Sequence, residues 1–152
     1  MDPTDDVEAV LVWTGKSVQA AYFSPNGSGQ IVTTCYDDLL RVWSPGAGCT
    51  GASKAEMWNE KAHTLATKIK HNNKTGRWVL PFRCVWTPSG DGVVVGAMNR
   101  SWEVFDPKQG GLIARHCNAE LMTAIPSRNC CHPTLPVVAA STCSGRIHIY
   151  RS

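Results

Sequence analysis

The segment Ala21–Pro25 (Ala-Tyr-Phe-Ser-Pro) has counterparts at Cys84–Pro88 (Cys-Val-Trp-Thr-Pro) and at Asn129–Pro133 (Asn-Cys-Cys-His-Pro). After each proline, an apolar run is followed by a short segment that ends in an aromatic residue 17 or 18 positions downstream. These closing segments are Arg41–Trp43, Glu103–Phe105 and His148–Tyr150. Because the internal spacing is constant, one structural unit is repeated three times, which is the signature of an array fold.

Each copy of the repeat contains three short stretches with the composition and alternation of β-strands, and one more candidate strand precedes each copy. The third copy is expected to start after Pro126, which has no N–H to donate to a sheet. The predicted strands are Val18–Phe23, Ile31–Cys35, Leu39–Trp43, Phe82–Trp86, Val93–Ala97, Trp102–Phe105, Ser127–Cys131, Val137–Ser141 and Arg146–Tyr150, preceded by Val10–Thr14, His63–Ile69 and Leu112–Cys117. Four strands per repeat, with an aromatic at the end of the third, is typical of a β-propeller blade.

The sequence therefore predicts an all-β fold, a partial WD-repeat β-propeller in which residues 1–152 form one domain. The predicted repeats span approximately 10–43, 62–105 and 112–150. The second and third prolines, Pro88 and Pro133, lie 45 residues apart, within the period of about 40 to 45 for WD repeats. The first two are 63 apart, and the excess falls in 44–60, which predicts an inserted loop. Three blades do not close a ring, so we expect the chain to be part of a larger propeller.

Composition and motifs exclude several classes of function. The net charge is +3, and the seven cysteines have no Cys-x-x-Cys spacing. We therefore expect reduced thiols, no metal and no cofactor. No stretch is long and apolar enough for a membrane span. The triplet Cys130-Cys131-His132 is the only arrangement that suggests catalysis, but neighbours on a strand point to opposite faces, so Cys131 and His132 are not presented to each other. The sequence predicts that the protein is not an enzyme.

One region of the chain is strongly basic. Residues 61–83 carry six Lys and Arg and no Asp or Glu, and His71, Asn72, Asn73 and Trp78 are interleaved with them. Cations displace counterions from phosphates, amides reach phosphate or base edges, and an aromatic ring stacks on bases or wedges between them. The segment therefore suits a nucleic acid. The alternative is that the charges are simply solvated, with Trp78 packed beneath the neighbouring blade.

The string Lys70–Trp78 (Lys-His-Asn-Asn-Lys-Thr-Gly-Arg-Trp), followed by Phe82-Arg83 and Trp86–Pro88, resembles the signature segment of the DNA-damage-binding changed-mutation-rate (CMR) WD-repeat family. Two further pairs of segments resemble the flanking repeats of that family: Ser17–Pro25 with Thr33–Cys35, and Met122–Pro126 with Ser144–His148. The resemblance covers most of residues 16–150 apart from the insertion. It corresponds to the C-terminal three blades of a protein with seven.

The resemblance implies a nuclear DNA-binding protein that prefers damaged duplexes and acts in the DNA damage response, DNA repair and genome maintenance. Carried over by position, the basic loop faces the duplex, with the cations on phosphates and Trp78 as a wedge. The residues expected to contact DNA are Lys70, His71, Asn72, Asn73, Lys74, Arg77, Trp78 and Arg83.

A protein-interaction scaffold is the second class of function, with chromatin proteins or a ubiquitin ligase as partners. In this alternative the protein makes no direct contact with DNA. Members of this group can dock on the adaptor of cullin-type ligases through a Trp-Asp-x-Arg ending on a blade. The first blade here ends Trp43-Ser44-Pro45 and lacks the acid. The second ends Phe105–Lys108, so Asp106 and Lys108 are the candidate docking residues.

Overall fold

The computed structural model describes residues 14–45 and 63–151. These residues form eleven strands in three antiparallel sheets, and none of them forms a helix that could cross a membrane. The strands are β1 (Val18–Phe23), β2 (Ile31–Cys35), β3 (Leu39–Pro45), β4 (His63–Lys70), β5 (Val85–Trp86), β6 (Val93–Ala97), β7 (Ser101–Phe105), β8 (Leu112–Cys117), β9 (Pro126–Cys131), β10 (Val137–Thr142) and β11 (Ile147–Arg151).

The three sheets have the same simple topology. The first sheet has the order β1-β2-β3-β4, the second β5-β6-β7-β8 and the third β9-β10-β11. Strand β5 contacts both β1 and β9, so the first strands of the sheets are neighbours. Radially repeated small sheets with their first strands at the centre are the architecture of a β-propeller, and the all-β propeller prediction is confirmed.

The sheets are offset from the sequence repeats by one strand. The strand that precedes the second copy, β4, pairs with β3 of the first copy, from Leu39 opposite Lys70 to Pro45 opposite His63. Strand β8 pairs in the same way with β7. Each four-stranded sheet is therefore made of three strands of one copy and the strand that precedes the next. This arrangement ties adjacent repeats together, because neither can complete its sheet alone.

Most predicted strand limits lie within one or two residues of the observed limits, and two of the differences have a structural cause. Strand β5 is shorter than predicted because the two residues before it bond to the neighbouring sheets: the Cys84 amide donates to Thr34 Oγ1 at 2.9 Å, and the Arg83 backbone forms a single parallel bridge with Arg128. Strand β9 begins one residue early, at Pro126, which lies opposite Thr142 beyond a bulge. A proline is tolerated there because it is the first residue of its strand.

The hydrophobic core lies between the sheets in two layers. Strand β6 of the second sheet is buried along its whole length, which explains why it is an uninterrupted apolar run. Val93 and Val95 pack toward the first sheet in a cluster with Leu40 and Phe82, whereas Val94 packs with Trp102 and Met122 toward the third. Successive side chains of β6 therefore pack against opposite neighbours, and this one strand connects the cores on its two sides.

The two predictions that concern residues 10–14 and 44–60 fall largely outside the described part of the chain. Of the predicted strand Val10–Thr14, only Thr14 is described, and it is not in a strand. Of the predicted insertion, Ser44 and Pro45 are described and belong to the end of β3.

On the outward face of β11, Ile147 and Ile149 are 73% and 67% exposed, which is consistent with a partial propeller.

Candidate nucleic-acid interface

The segment between β4 and β5, residues 71–84, crosses one end of all three sheets, and its first eleven residues (71–81) are here called the crossing loop. At its start, the His71 amide donates to the Asp38 carbonyl in the β2–β3 turn at 3.0 Å. Near its end, the Leu80 amide lies 3.5 Å from Cys143 Sγ in the β10–β11 turn. Between them the loop shares a depression with Asn99 of the β6–β7 turn. Its ends are therefore held by sheets that flank the one it enters.

Asn73 pins the crossing loop to the first sheet. Its side chain is almost fully buried, and Nδ2 donates to the carbonyls of Cys35 at 2.9 Å and Leu39 at 3.1 Å. Its own amide donates to Asp38 Oδ1 at 3.0 Å. Asp38 has a positive φ of 62° in the β2–β3 turn, a conformation that Asp and Asn tolerate better than most side chains. The loop is thereby fixed before it reaches its basic tip.

His71 is a core residue of the same network. Its ring packs edge-on against Phe82 and Phe105 with centroids 5.5 and 6.1 Å away. Its Nδ1 lies 2.7 Å from Asn73 Oδ1, and Nε2 is 3.8 Å from Glu103. Burial lowers the pKa of His71, and this outweighs the opposing influence of Asn73 and Glu103. The ring is therefore neutral at neutral pH and contributes packing rather than charge.

Two of the eight residues predicted to contact DNA must be corrected. His71 is 7% exposed and Asn73 is 2% exposed. Their polar atoms bond to each other and to Asp38, Cys35 and Leu39. A buried amide with satisfied bonds is not available to a phosphate, since exchanging those bonds would leave the carbonyls unpaired. These two residues position the loop.

The other six predicted residues are exposed. They are Lys70, Asn72, Lys74, Arg77, Trp78 and Arg83. Trp78 is 83% exposed, and the Arg77 guanidinium carbon lies 5.4 Å from the centre of its ring. The alternative in which Trp78 packs beneath a neighbouring blade is wrong. A bare indole accompanied by a cation is the combination that single- and double-stranded nucleic acids accept by stacking.

The charge of the loop is only partly compensated. Lys74 Nζ lies 2.9 Å from Asp38 Oδ2, and this bond lowers the pKa of the Asp38 carboxyl. Such an exposed pair is weak and is readily exchanged for another anion. Lys70, Arg77 and Arg83 have no carboxylate partner within the described ranges. The basic segment therefore carries a net positive charge, with Arg77 beside the Trp78 ring.

The candidate adaptor-docking residues lie at the opposite end of the second sheet. Asp106 Oδ1 accepts hydrogen bonds from the amides of Lys108 at 2.7 Å and Gln109 at 3.3 Å, which shapes the β7–β8 turn. The Lys108 side chain is exposed, and its carbonyl accepts from Thr67 Oγ1 at 3.0 Å. Docking through these residues stays a prediction. The acid already has a local structural role.

The pair Cys131 and His132 is not arranged for nucleophilic chemistry. Burial raises the pKa of the Cys131 thiol to about 11, so it is protonated at neutral pH and a poor nucleophile. His132 Nδ1 accepts bonds from the amides of Thr134 and Leu135 at 3.2 and 3.0 Å. No group of three or more His, Cys, Asp or Glu side chains suited to a metal ion occurs in the described residues.

Comparisons with known proteins agree with the fold and the repeat. The chain is 37% identical over 148 residues to WD repeat-containing protein 76 of Xenopus laevis, a match that covers 94% of this chain and 23% of that protein. It is 31% identical over 137 residues to DNA damage-binding protein CMR1 of Phaeosphaeria nodorum, covering 82% of this chain and 24% of that protein. No protein-family model matches the chain.

A solved structure shows the same architecture. The β-propeller domain of Cps50 (Swd1) from Myceliophteria thermophila superposes with a TM-score of 0.65 at 15% identity, over 89% of this chain and 38% of that domain. At this identity the likeness concerns the fold alone. The repeat, the sheets and this likeness define the chain as a WD-repeat β-propeller protein.

The relatives specify the family within that class. The chain belongs to the CMR WD-repeat family, which includes DNA damage-binding protein CMR1 and WD repeat-containing protein 76. The chain spans about a quarter of the length of these relatives. None of the relatives' names cited here denotes a catalytic activity.

Proposed function

We propose that this chain supplies part of the DNA-contacting face of a WD-repeat protein that binds duplex DNA, prefers damaged duplexes, and acts in the nucleus in DNA repair and genome maintenance. The observation that carries the proposal is the anchored crossing loop, which presents Trp78 at 83% exposure among cations without carboxylate partners in the described residues. The names of the CMR1 relatives, which specify binding to DNA damage, support it.

The exposed residues divide into two kinds of DNA contact. Lys70, Lys74 and Arg77 are assigned to phosphates, where each neutralised charge releases a counterion and gives affinity without sequence preference. Trp78 is assigned to the base stack. A duplex that is already distorted costs less to open, so an inserted ring favours damaged over intact DNA. The rigid anchoring by Asn73 reduces the entropy lost when the loop binds.

Replacing Lys70, Lys74 and Arg77 together with Ala is expected to weaken binding of a duplex roughly 100-fold or more at about 0.1 M salt. The slope of log affinity against log salt should fall by about two to three units, since each phosphate contact contributes about 0.9. Fluorescence anisotropy across a salt series measures both the affinity and its salt dependence. The matched control changes three exposed cationic residues outside the basic segment, Lys16, Lys108 and Arg151, by the same total charge. Equal losses in the two triple variants would refute a localised site.

Trp78→Ala is expected to weaken binding to an ultraviolet-irradiated duplex roughly 10-fold or more, and binding to the intact duplex much less. Base stacking on an aromatic side chain is worth about 1 to 3 kcal/mol. Because Trp78 is exposed, the free energy of unfolding should change by no more than about 0.5 kcal/mol. Parallel titrations of both duplexes give the ratio of affinities. An equal loss on the two substrates would mean that Trp78 is not a wedge.

A further inference from the structure

Two arginines meet where the second and third sheets approach each other, beside the end of the crossing loop. The backbone of Arg83, just before β5, forms a parallel bridge with that of Arg128 in β9. Arg83 is exposed, although its neighbours Phe82 and Cys84 are fully buried. Arg128 is half-buried. Two positively charged side chains from different sheets therefore share one small region of the surface.

This pair lacks an anionic partner within the described residues. The ion pairs found there involve Arg41, Lys74 and Arg115, and neither Arg83 nor Arg128 takes part. Burial lowers the pKa of Arg128, and the charge of Arg83 lowers it further. Like charges held together repel, and a bound anion relieves the repulsion.

Arg128 is also oriented. One of its terminal nitrogens, Nη1, donates to the carbonyl of Pro81, at the end of the crossing loop. Arginine has five N–H groups in a rigid planar fork, so the remaining donors stay available to a second acceptor. A guanidinium that is fixed in place loses less side-chain entropy on binding, and planar pairing with phosphate oxygens is the interaction that arginine favours. The same contact ties Arg128 to the segment that carries Trp78.

We propose that Arg83 and Arg128 form one phosphate site, which holds a phosphodiester group of the DNA next to Trp78. Arg128 is absent from the basic segment 61–83, because it comes from a strand more than forty residues later. The site rests on the proposed DNA binding and deepens it. It gives the loop a fixed point on the DNA backbone from which Trp78 reaches the base stack.

The test compares duplex binding by the wild-type chain, Arg83→Gln, Arg128→Gln and the double variant across a salt series. If the two arginines share one phosphate, the double variant lowers the salt slope by about one unit, and the losses of the single variants do not add. At about 0.1 M salt the double variant binds roughly 10-fold more weakly. Arg151→Gln, at an exposed arginine at the end of β11, is the matched control and leaves the slope unchanged.

The outcomes separate this proposal from the function on which it rests. An unchanged slope in the double variant, together with a reduced slope in the Lys70, Lys74 and Arg77 variant, would overturn the arginine site alone. Weaker binding with an unchanged slope would show that Arg128 only supports the loop through Pro81, which also overturns the site. A fall of two units would assign the arginines to separate phosphates and overturn the shared site. No binding by the folded wild-type chain would overturn both proposals.

Discussion

Gly96→Ala is expected to destabilise the chain by at least about 4 kcal/mol or to prevent folding, a loss that only a few mechanisms produce. Gly96 lies in β6, where a Cβ atom would overlap the carbonyl oxygen of Pro126 in β9 and approach Phe82 Cε1 to 3.2 Å. A backbone carbonyl cannot rotate away, so β9 would have to move as a whole. Because β6 and β9 belong to different sheets, the loss of close packing between them destabilises both sheets.

Thermal and urea unfolding, both monitored by circular dichroism, measure this loss of stability. The midpoint of thermal unfolding should fall by roughly 10 °C or more. Gly111→Ala is the matched control, since nothing lies within 4 Å of a Cβ atom at that position and its φ is not left-handed. A Gly96 variant with the stability of the wild type would show that the second and third sheets do not approach as described.

Asn73→Ala is expected to lower the free energy of unfolding by about 3 kcal/mol. Its Nδ2 is the donor to the carbonyls of Cys35 and Leu39, and its Oδ1 lies 2.7 Å from His71 Nδ1. Removal of the amide leaves these buried groups without their partner, at a cost of about 1 to 3 kcal/mol for each group that water cannot reach. The change also frees the crossing loop, so that DNA binding should weaken although no DNA contact is removed.

Asn72→Ala provides the comparison for this prediction. Asn72 is exposed, and its Oδ1 accepts only the Lys74 amide at 3.2 Å among the described residues. Its replacement should change the free energy of unfolding by no more than about 0.5 kcal/mol. Urea denaturation of the two variants under the same conditions gives the difference directly. If both variants are equally stable, Asn73 does not anchor the loop.

Much of the fold follows from local pattern. The repeat of turn prolines and closing aromatics placed most strands within one or two residues, because alternation and β-branched content are properties of short segments. The offset between the sheets and the sequence repeats could not be predicted, since the sequence of a strand does not specify which neighbouring strand it pairs with. Strand β5 was overpredicted for a related reason. Arg83 and Cys84 bond to other sheets and not to β6.

The candidate site was predictable as a region and less so residue by residue. The run of cations without acids marked the basic segment, and the exposure of Trp78 agrees with that interpretation. His71 and Asn73 are predicted to contact DNA because they lie within the segment that resembles the signature of the CMR family. Their burial depends on Asp38 and on carbonyls of Cys35 and Leu39, more than thirty residues away. Only the tertiary structure brings those groups together.

Arg128 was missed because nothing around it in the sequence is basic. Its neighbours in β9 are Ser127 and Asn129, and a single arginine in a strand is usually a solvated residue. Its proximity to Arg83 results from the contact between the first strands of two sheets. Sites assembled at the centre of a propeller draw one residue from each blade, so no local segment of sequence contains them.

The most direct test of the account is lysine acetylation of the chain, read by mass spectrometry, with and without an ultraviolet-irradiated duplex. We expect the duplex to protect Lys70 and Lys74 from modification and to leave Lys16 and Lys108, which lie outside the crossing loop, as reactive as in the free protein. Binding of the duplex with Lys70 and Lys74 unprotected, or with all four lysines equally protected, would contradict a DNA interface at the crossing loop.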